Sequence, residues 1–117
     1  MNFEEAREKH ARWRFELRSA IVDRRMLDVD MIAKSDLCSV GKWLLGEAKT
    51  RYAGLAGYAI CVSSHAAFHI EAAKVATRIN AGQYDEAGDM LGLGSAYSLA
   101  SATFGQALNA LEREAEG

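Results

Sequence analysis

The chain has 117 residues, 50% of them hydrophobic and 26% charged, which is enough for one compact domain that buries about two thirds of the surface its unfolded form exposes. Its net charge of −2 leaves no overall positive field to hold nucleic acid or an acidic membrane surface. The first twenty residues are charged rather than apolar, and no apolar run approaches the roughly 18–20 residues of a membrane span, so neither a signal peptide nor a spanning helix is expected.

There is no proline, so nothing forbids long uninterrupted helices. From Phe3 to Arg25 the residues Phe3, Ala6, His10, Trp13, Leu17, Ala20 and Ile21 recur at steps of three and four, an amphipathic helix. The charges of this segment alternate in sign, as on a solvated face with local ion pairs. "DVDMIAKSD" reads as a connector or a short helical turn. Ser35 or Asp36 then caps a second helix that carries Cys38 in its first turn and stops near Gly46.

A third segment runs from about Tyr52 to Asn80. Gly54 and Gly57 weaken its start, and Gly82 is placed as a left-handed terminator. A short acidic helix over Tyr84 to Leu91 follows, and Ser95 caps a last helix from Ala96 to about Glu114. The expected inner stripe of that helix is Leu99, Ala102, Thr103, Gln106, Leu108 and Leu111. No period-two pattern appears. The fold class is all-α: a four-helix bundle with an additional short helix, residues 1–117 forming a single domain with a metal site in the bundle core.

His65 and His69 are four residues apart, which puts both imidazoles on one helix face. That pair alone serves equally as a metal clamp or as two hydrogen-bonded core histidines. His10, the third histidine of the chain, lies on the apolar side of the first helix, where a polar ring needs a partner. All three histidines fall on positions that face one interior, which leaves a fourth ligand to find.

Zinc takes four ligands, and imidazole nitrogen with thiolate sulfur suits it. Cys61 shares the face of His65 and His69, but about 12 Å of helix rise separates it from His69, too far for one ion. Cys38 lies near a helix N-terminus, where free amides favour a thiolate. Spacing therefore favours His10, Cys38, His65 and His69, with Cys61 a packed neutral thiol, the less secure half of that choice. Asp36 is a capping residue on this reading, and Trp13, Trp43 and Phe68 are core aromatics.

Four stretches, "HARWRFEL" from His10, "DLCSVGKWLLG" from Asp36, "HAAFHIEAA" from His65 and "LGLGSAYSLAS" before the last helix, together resemble the chemoreceptor zinc-binding domain family. The resemblance implies a helical bundle whose single zinc is held by three histidines and one cysteine, here His10, Cys38, His65 and His69. It also implies homodimers, a place at the end of chemotaxis receptors or beside cyclic-di-GMP synthases, and a last helix that supplies no ligand. Val40 stands where the family commonly has leucine or phenylalanine, which touches packing only. No signalling coil or catalytic module is visible, so the chain is either free-standing or a fragment of a longer protein.

The leading expectation is thus a cytoplasmic zinc-binding regulatory domain. Zinc occupancy, or oxidation of Cys38 by an oxidant such as hypochlorous acid, would alter helix packing and the output of a signalling module. A zinc-dependent hydrolase is disfavoured, because four protein ligands leave no open position for water and Glu71 points off the histidine face. A structural helical module without metal is the other class. Elemental analysis separates it from the first.

Overall fold

The computed structural model describes residues 1–117. The chain forms seven helical segments and no strand: α1 (Phe3–Asp23), α2 (Val29–Ala33), α3 (Ser39–Leu45), α4 (Glu47–Tyr52), α5 (Ala56–Asn80), α6 (Tyr84–Met90) and α7 (Ala96–Glu116). The body is made by α1, α5 and α7, with α7 packed most extensively along α5. The fourth position of the bundle goes to the predicted second helix, which is broken into α3 and α4. Gly46 makes the break: its N–H bonds the Trp43 carbonyl at 3.2 Å, while its own carbonyl accepts from Thr50 N at 3.2 Å and starts the next helix. Of the two short accessory helices, α6 is the expected acidic one and α2 is the helical alternative for "DVDMIAKSD".

Local sequence explains most of the boundaries. Asn2 caps α1 by accepting from Glu5 N at 2.8 Å, and Ser95 caps α7 through Ser98 N at 3.1 Å. Gly82 closes α5 at φ 75°, in the left-handed region that glycine enters without a Cβ clash. The third helix begins at Ala56 rather than Tyr52, because Gly54 and Leu55 lie in the turn that ends α4.

Two apolar clusters hold the molecule. One gathers Phe3, Val40, Trp43, Leu44, Tyr58, Cys61, Phe104, Leu108 and Leu111. In it the Trp43 ring meets Phe3 edge-on at 5.3 Å, and the Tyr58 hydroxyl donates to the Leu44 carbonyl at 2.6 Å, tying α3 to α5. The other gathers Leu17, Ile32, Phe68, Val75, Ile79, Leu91 and Tyr97. The approach to α2 is fixed by Asn80, whose side chain accepts from Leu27 N at 2.9 Å and donates to the Leu27 carbonyl at 2.8 Å.

The buried face of α7 differs from the expected stripe. Leu108 and Leu111 are buried, but Leu99, Ala102, Thr103 and Gln106 face outward. The inward face is Tyr97, Phe104, Ala107, Leu108 and Leu111. The two aromatics bring far more apolar area than Leu99 does, and burying them sets the helix rotation. On α1 the expected face holds: Phe3, Ala6, His10, Leu17 and Ala20 are buried.

Candidate metal centre

Cys38 is not inside the first turn of α3. It is the N-cap, with extended backbone, and its Sγ accepts from the Gly41 N–H at 3.2 Å. Neither Ser35 nor Asp36 takes that role; Asp36 sits exposed in the turn before it. The Cys-x-x-Gly spacing has a steric reason as well. A Cβ on Gly41 would lie 1.8 Å from the Ser35 carbonyl oxygen, so only glycine lets the turn over residues 35–38 fold back onto α3. That close approach aims the thiol inward.

On α5, His65 and His69 are 3% and 1% exposed, one turn apart. Their Nε2 atoms stand 3.1 Å from each other. Cys38 Sγ lies 3.5 Å from His65 Nε2 and 3.4 Å from His69 Nε2. A tetrahedral zinc with bonds of about 2.3 Å to sulfur and about 2.0–2.1 Å to nitrogen sets S···N edges of about 3.5–3.6 Å and an N···N edge of about 3.3–3.4 Å. The three observed separations form one face of such a tetrahedron to within a few tenths of an ångström.

The tautomers agree with that use. The Ile32 carbonyl, 2.8 Å from His69 Nδ1, can only accept, so Nδ1 carries the proton and Nε2 presents a lone pair to the group. This positioning carbonyl belongs to α2, the segment that read as a connector or a short helical turn and takes the helical form. No side-chain pattern announces a backbone oxygen, though the buried Ile32 marks where α2 packs on α5.

His10 is buried on α1 at 8% exposure, with its ring edge-on to Phe68 at 4.4 Å and to Phe104 at 4.9 Å. It stands beside the cluster but outside the close group of Cys38, His65 and His69. Its Nε2 lies 2.9 Å from Ser101 Oγ and 3.3 Å from the Ser101 carbonyl. Cys61 is fully buried in the first apolar cluster and also outside the group, and burial pushes its thiol up to about 11. Phe68 and Trp43 are core aromatics as expected. Trp13 is half-buried, with its ring edge-on to His69 at 5.4 Å.

Burial lowers His10 to about 4, and burial with the neighbouring His69 and His10 lowers His65 to about 3. His69 is lowered by burial too, against the pull of the Ile32 carbonyl. At neutral pH all three rings are uncharged, the form that binds metal. Burial raises the Cys38 thiol, outweighing the amides of Gly41 and Val40 that favour the anion, and the Asp36 charge adds to the rise. The helix N-terminus alone therefore does not make Cys38 a thiolate; a cation among the donors would. The converging sulfur and two nitrogens fit zinc in softness and spacing.

Fold and site together define a helical metal-binding domain. A family model described as the chemoreceptor zinc-binding domain matches residues 10–76, more than half of the chain, and the chain belongs to that family. Zinc is the metal of this signalling-domain family, and Cys38, His65 and His69 lie close enough to form its site. The match takes in all four predicted ligands and ends before α6 and α7, so the likeness read at "LGLGSAYSLAS" falls outside it. No curated protein and no solved structure matches the chain. None of its helices is long and apolar enough to cross a membrane.

Proposed function

We propose that the chain is a sensory domain in which His10, Cys38, His65 and His69 hold one zinc, and in which loading of that site sets how the helices pack. The observation that carries this is the convergence of one sulfur and two imidazole nitrogens at 3.1–3.5 Å, with both histidines buried, Cys38 half-buried and the Ile32 carbonyl fixing the tautomer. Zinc, when bound, supplies the positive charge that keeps the half-buried Cys38 thiolate stable. The residues do the rest: Cys38 ties α3 to α5, His69 draws on α2, and His10 brings in α1. Loading the site thus ties α1, α2, α3 and α5 to one point, in addition to the apolar contacts and the Tyr58–Leu44 and His69–Ile32 bonds already between them. The output goes to a signalling module of the chemotaxis-receptor or cyclic-di-GMP type, with the domain acting as a cytoplasmic homodimer. The role is regulatory rather than catalytic, since four protein donors leave no position for water or substrate.

Oxidation of Cys38 is a second input to the same site. The thiol is half-exposed and borders a depression lined by Lys9, Arg12, Trp13 and Ser39. The sulfur of the thiolate attacks the chlorine of hypochlorous acid and releases hydroxide. Water then displaces chloride to leave a sulfenic acid, a poorer donor that frees α3.

Metal analysis tests the core of the reading. Purified protein should take up one zinc per chain, and cobalt-loaded protein should show tetrahedral spectra with a single thiolate contribution. Failure to take up either metal, or a five-coordinate spectrum with exchangeable water, would overturn it. For the oxidant route, zinc release should vanish in Cys38→Ser and persist in Cys61→Ser; the reverse pattern would exclude it.

A further inference from the structure

His10 is the one predicted ligand that is engaged elsewhere, and its partner lies outside the segment matched by the family model. The Ser101 carbonyl can only accept, so the Nε2–H of His10 donates to it and to Ser101 Oγ together. Neither ring nitrogen of His10 joins the group made by Cys38, His65 and His69. The helix that carries Ser101 is anchored by Phe104, Leu108 and Leu111, each fully buried, so the Ser101 backbone is held in place by the core.

We propose that Ser101 is a latch on the metal centre: it engages His10 Nε2 away from the other three donors, and Nε2 enters as the fourth ligand by giving up its bond to α7. This rests on the four-ligand reading above. The fully buried walls of Phe68 and Phe104 keep the ring beside the cluster, so the exchange is a local move of one side chain. Loading the site then trades an α1–α7 bond for a link between α1 and α5. In this way α7, which supplies no ligand, responds to metal.

The test uses full-length protein with ¹⁵N-labelled histidine as wild type, Ser101→Ala and Ser101→Thr. Zinc is titrated in competition with a chromophoric chelator at neutral pH, and histidine ring N–H signals are followed alongside. The wild type without zinc should show a protected Nε2–H on His10 that disappears on zinc loading. Ser101→Ala should bind zinc about two- to tenfold more tightly, the worth of one neutral hydrogen bond, while Ser101→Thr stays close to wild type. Weaker or unchanged binding by Ser101→Ala would overturn the latch, and so would a His10 Nε2–H still protected in the zinc form. In that last case shifts at His65 and His69 would leave the metal centre standing, with His10 outside it or bound through Nδ1. No zinc uptake by the wild type would remove the metal reading and the latch with it.

Discussion

The two apolar clusters and the seam between them are built on different rules. The cluster around Phe3, Trp43 and Leu111 and the one around Leu17, Phe68 and Ile79 are each made almost wholly of hydrophobic side chains. The buried histidines belong to neither. His10 touches Phe68 on one side and Phe104 on the other, and His65 lies 4.8 Å from the Phe104 ring. The clusters supply the stability, and the seam carries chemistry that stability alone would not select. The two cysteines repeat the contrast: Cys61, inside a cluster, is a neutral filler, whereas Cys38, at its edge, faces two imidazole nitrogens.

The sharpest way to break this division is to remove a donor. Cys38→Ser or His65→Ala should weaken zinc binding by more than the roughly 10–100-fold that losing a hydrogen-bond partner behind a ligand costs. Circular dichroism should nonetheless show a helical protein, because both clusters remain. A collapse of helicity in either variant would mean that seam and clusters are not separable. In the other direction, Leu111→Ala, in the cluster remote from α2, should cost about 2–5 kcal/mol in denaturant unfolding and leave the zinc affinity of the folded protein unchanged. Phe68→Ala should cost about 3–5 kcal/mol and disturb binding as well, since its ring contacts both His10 and His69.

Acid should act on the seam first. His10 and His65 titrate at about 4 and about 3 in the folded chain, against about 6.5 when unfolded. The unfolded state therefore binds more protons in between, so the contribution to stability is intact above pH 6.5 and is lost as pH falls through those values. Urea midpoints of zinc-free protein at pH 7.5, 6 and 5 should fall in that order, and a flat series would place the rings in solvent.

The smallest contrast compares two glycines. Gly41→Ala drives a Cβ into the Ser35 backbone and should reduce zinc affinity by displacing Cys38. Gly105→Ala, in α7 with open space where a Cβ would go, should raise stability by roughly 0.5–1 kcal/mol and leave binding alone. Paired thermal melts and zinc titrations of the two variants distinguish these effects.

Much of the fold was legible because it rests on local rules. The three-and-four spacing of α1, the Ser95 cap and the Gly82 stop each act within a few residues. The rotation of α7 was not legible, since Leu99 and Tyr97 compete for the inside and only the surrounding cluster decides between them. The α3–α4 break was half-visible at Gly46; that the chain restarts a helix at once depends on a carbonyl bonded to Thr50. At the site, side-chain chemistry pointed to Cys38, His65 and His69, which the fold brings together. The parts that stayed hidden are the backbone oxygen of Ile32 and the engagement of His10 by Ser101, because neither leaves a mark in residue type or spacing.

The side-chain amide of Asn80 reaches further than its position suggests. By bonding both the N–H and the carbonyl of Leu27 it imitates a neighbouring strand and gives α2, only five residues long, a fixed point of departure. Asn80 sits about 16 Å along α5 from His69, and both side chains bond the same short segment, Asn80 at Leu27 and His69 at the Ile32 oxygen. A five-residue helix thus bridges two points of α5 about three turns apart, held at one by a side-chain amide and at the other by an imidazole.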